Sequence, residues 1–188
     1  MKKLKTITVA LLVLIATMAN AQTTKVNPAT STITWVGKKV TGQHSGTIDI
    51  KEGTLLFKSK KLIGGNFVVD MSKIIVTDLK TGKGKEDLEG HLKADDFFGT
   101  AKYPTAKLVF KTIGDKGNGV YTITADLTIK ASTNPVTFDL NVASNTAKTT
   151  LIVDRTKYDI KYGSGSFFSN LGDKTISDNF DLAVVLQF

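Results

Sequence analysis

The segment Phe180-Asp181-Leu182-Ala183-Val184-Val185-Leu186-Gln187-Phe188 shows the clearest alternation of apolar residues in the chain. Every second residue is large and apolar, namely Phe180, Leu182, Val184, Leu186 and Phe188. On an extended backbone, residues of one parity point to the same side. A two-residue period is typical of a β-strand with one buried face. The end of the chain therefore predicts a strand that packs against an apolar core.

The same period recurs through most of the chain, between turn signals rich in glycine, asparagine and proline. The predicted strands cover residues 32–40, 47–51, 54–59, 62–76, 106–113, 120–130, 136–143, 149–155 and 180–188. Gly42, His44 and Gly46 indicate a tight turn or bulge, and Glu52-Gly53 indicates another turn. About eight strands joined by turns predict an all-β fold whose antiparallel sheet curls into a barrel or sandwich, because closure removes exposed edges. An eight-stranded barrel is just wide enough to hold one ligand.

One segment breaks the strand pattern and predicts a short amphipathic helix from Asp87 to Phe98. Its common face carries Leu88, His91, Leu92 and Asp95, with Phe98 one step further on the same side. Gly99 follows as a suitable residue to end the helix. In a barrel, such a helix either plugs one end or builds a site there. The absence of a catalytic pattern favours a lid that seals the barrel.

The N-terminus has the three parts of a secretory signal peptide. Residues 1–5 are basic, Ile7 to Met18 form an apolar run, and Ala19 and Ala21 occupy the positions that a signal peptidase recognises. Residues 1–21 are thus predicted to be a leader cleaved after Ala21, and residues 22–188 to be one periplasmic or secreted domain. The apolar run is short for a membrane span, and no later segment is long enough, so no stable membrane insertion is expected.

Composition excludes several classes of function. The chain has no cysteine, which rules out disulfides, thiol catalysis and thiolate metal sites. Removing the leader's three lysines lowers the formal charge from +8 to +5, and this excess is spread over many lysines with a single arginine, Arg155. Nucleic-acid binders usually concentrate lysine and arginine on one element. The sequence therefore predicts no nucleic-acid partner.

Candidate catalytic residues are few. His91 and Asp95, four residues apart, together with His44 could ligate a metal or serve a hydrolytic enzyme. No His-Glu-x-x-His pattern supports a metal site, and Gly163-Ser164-Gly165-Ser166 lacks the spacing and context of a nucleophile elbow. The sequence predicts no metal and no cofactor, and the enzyme stays as the alternative hypothesis.

Aromatic residues are distributed over nearly every predicted element, and an ordinary core explains most of them. An eight-stranded barrel with an apolar helix face nevertheless encloses more volume than packing alone needs, which predicts an apolar tunnel. Each buried methylene of a lipid contributes about 0.8 kcal/mol, so a long apolar chain could bind with few polar contacts. A barrel packed solid, acting in stress response or adhesion, is the other alternative.

Several segments together carry a family resemblance. They are residues 42–46 (GQHSG), 65–71 (GNFVVDM), 91–98 (HLKADDFF) with Tyr103-Pro104, 121–129, Pro135-Val136 and 154–160 (DRTKYDI). In their order and spacing the chain resembles the YceI-like proteins, an exported family that binds polyisoprenoid lipids. The resemblance covers essentially all of residues 22–188. One departure is Thr124-Ala125-Asp126, where many relatives have glycine, and this difference could reshape one wall.

The resemblance implies an extended, eight-stranded lipocalin-like barrel with a helical cap. It implies a tunnel for polyprenyl chains, isoprenoid quinones or fatty amides, and relatives also form dimers, so a homodimer stays open. The family pattern includes His44, His91 and Arg155. The residues predicted to contact ligand in the tunnel or at its mouth are Trp35, His44, Phe67, His91, Leu92, Phe97, Phe98, Phe110, Phe138 and Arg155. The predicted function is non-catalytic binding, transport or storage of a long-chain amphiphilic lipid.

Overall fold

The computed structural model describes residues 21–188, and strands dominate these residues. The strands are β1 (Gln22–Lys25), β2 (Thr32–Lys39), β3 (Gly42–Lys58), β4 (Lys61–Val76), β5 (Thr105–Gly117), β6 (Val120–Ile129), β7 (Ser132–Ala143), β8 (Thr146–Asp154) and β9 (Ile176–Gln187). Helix α1 spans Lys85–Lys93, and 3₁₀ helices span Arg155–Tyr158 and Gly172–Lys174. The prediction of an all-β fold with one short helix is confirmed.

Eight of these strands close into an antiparallel barrel. The hydrogen-bonded order is β3-β2-β9-β8-β7-β6-β5-β4, and β4 pairs again with β3 to complete the circle. The ninth strand, β1, pairs with the far end of β3, where Gln22 faces Phe57 and Lys25 faces Thr54. Closure leaves the eight barrel strands without a free edge.

Strand β6 illustrates why this sequence curls into a barrel. Its burial alternates at every residue, and the buried side carries Tyr121, Ile123, Ala125, Leu127 and Ile129. The other side carries threonines that hydrogen-bond across to β7: Thr124 contacts Thr137 at 3.2 Å and Thr128 contacts Thr133 at 2.8 Å between hydroxyl oxygens. Apolar residues thus face the interior while the outer face is satisfied by polar cross-strand pairs.

Tight two-residue turns join the neighbouring strands at the barrel end opposite helix α1. Asn118 and Gly119, with φ of 52° and 78°, connect β5 to β6. Ser59 and Lys60, with φ of 50° and 64°, connect β3 to β4. Two consecutive positive φ angles are the geometry that matches the twist of paired strands. The connection between the predicted strands 106–113 and 120–130 is therefore only two residues long, because β5 continues to Gly117.

Three predictions near the start of the fold are wrong. No strand was predicted between residues 22 and 32, yet Gln22–Lys25 form strand β1. Gly42 to Gly46 and the pair Glu52-Gly53 lie inside the long strand β3, and the turn from β2 falls instead at Val40 and Thr41. The glycine at position 53 serves packing, since a Cβ there would lie 2.6 Å from the ring of Phe67.

The helix is also shorter and earlier than predicted, ending at Lys93 instead of continuing to Phe98. Ala94 is extended, with φ −66° and ψ 161°, and the following residues form hydrogen-bonded turns in which Gly99 N–H donates to the Ala94 carbonyl at 2.8 Å. Asp95 and Asp96 would place two carboxylates at the negative end of a longer helix dipole. Phe98 therefore reaches the barrel from a turn.

The predicted leader over residues 1–21 lies, except for Ala21, outside the residues that the structure describes. Within residues 21–188, no helix has the length and apolar character needed to span a membrane.

Candidate ligand-binding site

Two apolar chambers occupy the interior of the barrel. The capped chamber, of about 140 Å³, lies under the helix end of the barrel, where Leu92, Phe97 and Phe98 line it. The strand chamber, of about 100 Å³, is lined by residues of all eight barrel strands and by none from the helix. Each chamber is comparable with a buried cavity that admits one benzene ring. The interior of the barrel is therefore not packed solid.

The two chambers adjoin each other and share four lining residues, Ile33, Val69, Leu127 and Leu182, which we call the junction. These four residues line both chambers, and they come from β2, β4, β6 and β9. All four side chains are aliphatic. A chain that occupied both chambers would have to pass between them.

Three of the aromatic residues that line the chambers lie flat against glycine backbone. Trp35 in the capped chamber packs on Gly46, its cross-strand partner, and donates from Nε1 to the Thr47 carbonyl at 3.3 Å. In the strand chamber, the ring of Phe110 packs on Gly65, where a Cβ would lie 2.6 Å from the ring. Phe67 packs in the same way on Gly53. These glycines therefore fix where the large rings of the chamber wall lie.

Helix α1 and the turn after it close the capped chamber. Leu92, Phe97 and Phe98 are all buried, and the rings of Phe97 and Phe98 meet edge to face at a centroid distance of 5.1 Å. Glu89 anchors the helix to β4, because its Oε1 accepts a hydrogen bond from the Val76 N–H at 2.9 Å. His91 packs on the outer side of Phe97 at 5.5 Å between ring centroids. The helix is therefore a fixed lid over apolar space.

Arg155 is the buried charged residue beside the capped chamber, with only 2% of its surface exposed. Its guanidinium donates to three backbone carbonyls: Nη1 to Ile160 at 2.8 Å, Nε to Ser177 at 2.9 Å and Nη2 to Ile176 at 3.1 Å. These carbonyls flank both ends of the loop between the first 3₁₀ helix and β9. Arg155 thus clamps the base of that loop, a role that the sequence did not predict.

Asp178 balances the charge of Arg155, with Oδ1 3.8 Å from Nη2. Its Oδ2 accepts a hydrogen bond from the Ser166 hydroxyl at 2.5 Å. Burial disfavours the ionised carboxylate, but hydrogen bonding by Ser164 and Ser166 and the charge of Arg155 outweigh it, so the pKa of Asp178 lies below its ordinary value of 3.8. The pair therefore stays ionised at neutral pH.

This lowered pKa predicts an acid-sensitive contribution to stability. A carboxyl group with a lower pKa in the folded state stabilises the fold fully above its ordinary pKa of 3.8, and this contribution is lost as the pH falls through the lowered value. We expect Asp178→Asn to cost about 1–2 kcal/mol of unfolding free energy at neutral pH, with the difference from wild type shrinking in acid. Denaturant unfolding at several pH values measures it. A difference that does not change with pH contradicts the expectation. The control is Asp173→Asn, which removes an exposed carboxylate from the second 3₁₀ helix.

His44 lies away from both chambers. Its Nδ1 is 2.8 Å from Asp78 Oδ2, and the other carboxylate oxygen of Asp78 accepts the Ser45 N–H at 3.0 Å. Burial opposes ionisation of Asp78, yet the Ser45 and His44 hydrogen bonds lower its pKa below the ordinary value. His44 therefore fastens the start of β3 to the chain that leaves β4.

The three residues of the enzyme hypothesis do not form a metal centre. Within residues 21–188, no group of three or more histidine, cysteine, aspartate or glutamate side chains is placed to hold a metal ion. Asp95 is exposed beyond the end of helix α1, and His91 packs between the rings of Phe97 and Tyr162. The metal-centre form of the enzyme hypothesis therefore finds no support in this part of the chain.

Eight of the ten residues predicted to contact ligand line the chambers. Trp35, Leu92, Phe97, Phe98 and Arg155 line the capped chamber, and Phe67, Phe110 and Phe138 line the strand chamber. His44 and His91 lie outside both linings. Contact with a ligand stays a prediction for all ten.

Several further lining residues were not predicted as ligand contacts. Ile33, Leu127 and Leu182 were recognisable from their parity, because each lies on the apolar face of its predicted strand. Ser177 and Asn179, which also border the otherwise apolar capped chamber, had no such signal. They precede the apolar alternation of the last strand and look like ordinary loop residues.

A closed antiparallel barrel with an apolar interior and a helical lid defines the class of lipocalin-like barrels. The family model of the YceI-like domain matches residues 25–188. The chain therefore belongs to the YceI-like family, and the predicted resemblance is confirmed.

Known proteins extend this comparison. A UPF0312 protein of Shewanella denitrificans is 37% identical over 86 residues, which are 46% of this chain and 42% of that protein. The alignment thus spans less than half of that relative's length. The crystal structure of Burkholderia cenocepacia BcnA is similar with a TM-score of 0.65 at 21% identity, covering 86% of this chain and 98% of that one. A polyisoprenoid binding domain from Saccharophagus degradans, implicated in plant cell wall breakdown, is similar with a TM-score of 0.59 at 13% identity, covering 86% and 95%.

Proposed function

We propose that this protein binds a long-chain amphiphilic lipid of the isoprenoid class without catalysing a reaction, and that it carries or stores this lipid. The observation that supports the proposal most is the pair of apolar chambers that meet at the junction of Ile33, Val69, Leu127 and Leu182. A polyisoprenoid binding domain among the similar structures agrees with the proposal. The leader predicted over residues 1–21 would place the carrier in the periplasm or outside the cell.

The lining favours one orientation of the ligand. Both chambers have almost wholly apolar walls. The polar residues Arg155, Ser177 and Asn179 border the capped chamber, whereas Thr149, whose hydroxyl donates to the Asp139 carbonyl at 2.7 Å, is the polar residue that borders the strand chamber. An unpaired polar group in the strand chamber would lose its hydrogen bonds to water. The apolar tail therefore enters the strand chamber, and the polar end stays in the capped chamber.

The charges around Arg155 indicate the kind of head group. The guanidinium is engaged by three carbonyls and faces the carboxylate of Asp178, so its positive charge is already balanced. An anionic head group would compete with Asp178 and would have to be desolvated. An uncharged polar end, such as an alcohol, a quinone or an amide, fits this environment better.

Blocking the junction tests the proposal. We expect Val69→Phe to weaken binding of geranylgeraniol by roughly tenfold or more, because the ring would occupy the passage between the chambers. Geraniol, which has half as many carbon atoms, should lose less affinity because a smaller part of its chain has to pass the junction. Displacement of a fluorescent fatty probe measures both affinities.

The matched control for this experiment is Val109→Phe, the same substitution on β5 at a residue that is 41% exposed. It should leave both affinities close to those of the wild type. If wild-type protein binds neither alcohol, or if Val69→Phe and Val109→Phe behave alike, the proposed binding mode is wrong.

A further inference from the structure

The loop from Lys161 to Thr175, which we call the aromatic loop, presents three large rings to solvent. Tyr162, Phe167 and Phe168 are 46%, 51% and 49% exposed. Clustered exposed apolar side chains on a soluble protein usually mark a surface that meets an apolar partner. The scattered exposed residues Ile152 and Val109, in contrast, lie alone on the outer faces of their strands.

The aromatic loop is held in place by a polar network around one buried serine. Ser164 is fully buried at its centre, and both the Phe167 and Phe168 N–H groups donate to its carbonyl, at 3.2 and 3.0 Å. Ser166 donates to Asp178, which faces the clamp residue Arg155. A structured turn thus holds the two phenylalanine rings. Binding through them therefore requires little further loss of conformational entropy in the loop.

The aromatic loop also adjoins the capped chamber. Gly163 accepts the Ile176 N–H at 2.8 Å, and Ile176 and Ser177 line the chamber. On the other side of the loop, Tyr162 packs against the lid residue His91 at 4.4 Å between ring centroids. The exposed rings therefore stand on the rim of the chamber that would receive the polar end of a lipid.

Lysines accompany these rings. The Lys161 Nζ lies 5.2 Å from the centroid of the Phe167 ring, and Lys157 and Lys174 are exposed on either side of the loop. Asp159 pairs with Lys161 at 2.9 Å, which reduces the net charge of the surface. Aromatic rings that insert at head-group depth, with lysines reaching the phosphates, are typical of proteins that lie on a bilayer.

We propose that the aromatic loop docks the protein on the surface of a lipid bilayer, with Phe167 and Phe168 inserted among the head groups. A bilayer fits this rim better than a protein partner does, because the two neighbouring rings are flanked by lysines and border the chamber that would take up a lipid. The inference rests on the proposed function for its purpose, since docking would bring the chamber to the source of its ligand. Insertion of the rings supplies most of the affinity, so added salt should weaken docking only slightly.

Vesicle co-sedimentation tests the proposal, using phosphatidylethanolamine–phosphatidylglycerol vesicles and protein expressed from residue 1. We expect the double variant Phe167→Ser/Phe168→Ser to partition onto vesicles roughly tenfold less than the wild type, since two rings are removed from the interface. The control Ile152→Ser removes an apolar residue that is 67% exposed on β8 and should bind as the wild type does. All variants carry the same N-terminal segment, so the comparison isolates the loop.

A second readout does not depend on a loss of binding. Phe168→Trp should show a blue-shifted emission that brominated lipids quench, whereas Ile152→Trp should not respond to vesicles. Absence of vesicle binding by the wild type, equal binding of the double variant, or no response of Phe168→Trp overturns the docking inference. A wild-type dimer that becomes a monomer in the double variant also overturns it, because the loop would then be a contact between copies.

The same variants separate this inference from the proposed function. The double variant should bind geraniol in solution as tightly as the wild type, because neither ring lines a chamber. Geraniol binding without vesicle binding removes the docking inference alone. Vesicle binding without affinity for any isoprenoid alcohol removes the proposed function alone.

Discussion

Replacing Gly46 with alanine is expected to destabilise the protein by about 3 kcal/mol or more, a large part of the stability of a domain of this size. A Cβ at residue 46 would lie 2.6 Å from the Trp35 ring and closer still to the carbonyl oxygen of Ile75. Neither neighbour can move away without a cost in free energy. The Ile75 oxygen belongs to the backbone of β4, and Trp35 is hydrogen-bonded to Thr47. Denaturant unfolding followed by circular dichroism measures the loss.

The matched control is Gly90→Ala. Gly90 lies in helix α1 and is exposed, and a Cβ at that position would point into open space. Alanine is the better helix former, so this variant should gain up to about 1 kcal/mol. A Gly46→Ala protein as stable as the wild type would mean that Trp35 does not pack on the β3 backbone, and the account of the chamber wall would fail.

Replacing Arg155 with methionine is expected to cost about 3–5 kcal/mol, since three backbone carbonyls with little access to water would lose their donor at about 1–3 kcal/mol each. The Ile160, Ile176 and Ser177 carbonyls would lose their donor, and Asp178 would remain beside an apolar side chain. Arg155→Lys should recover only part of the loss, because one ammonium group cannot reproduce the planar set of donors. Chemical denaturation measures the stability of each variant.

Hydrogen exchange gives the Arg155 prediction a local readout. Amides of the aromatic loop should exchange faster in Arg155→Met, because the clamp joins both ends of that loop. Lys157→Met, on the same 3₁₀ helix but exposed, should change stability by less than about 0.5 kcal/mol. If Arg155→Met is as stable as Lys157→Met, Arg155 does not clamp the loop.

The barrel itself was predictable from the sequence because its signal is local. The alternation of Tyr121 to Ile129 fixes which side chains face inward, and the structure buries that face. In the last strand the predicted apolar face lines the chambers through Phe180, Leu182, Val184 and Leu186. Eight strands then predict a closed barrel whose interior is wide enough to hold one ligand. The aromatic lining of the two chambers was predictable for the same reason, since Phe67, Phe110 and Phe138 lie on apolar faces of their strands.

The roles of the polar residues were not predictable, because their partners are distant in sequence. Arg155 binds carbonyls that lie 21 and 22 residues later, and His44 binds Asp78, which is 34 residues away. Gly46 and Gly53 are typical of turns by residue type, whereas here each makes room for a ring packed against the strand. The helix was predicted to continue beyond Lys93 because apolar periodicity takes no account of charge. Asp95 and Asp96 would be unfavourable at the negative, C-terminal end of a helix dipole.

The structure and the family together support one account, in which the capped and strand chambers form a single binding tract for a lipid. Aromatic rings packed on glycines form part of its wall, and helix α1 forms its lid. The aromatic loop, which Arg155 holds at both ends, lies at its rim. The chamber wall, the junction, the Arg155 clamp and the aromatic loop are each tested by a different variant. A negative result for one of them leaves the other three open to test.

Native mass spectrometry of freshly purified protein, combined with solvent extraction, determines whether the two chambers hold a lipid. We expect a stoichiometric bound molecule with an apolar chain of several isoprene units and an uncharged polar end. Protein stripped of this molecule should take up geranylgeraniol when it is offered. A protein that carries no lipid and binds none when offered would contradict the account.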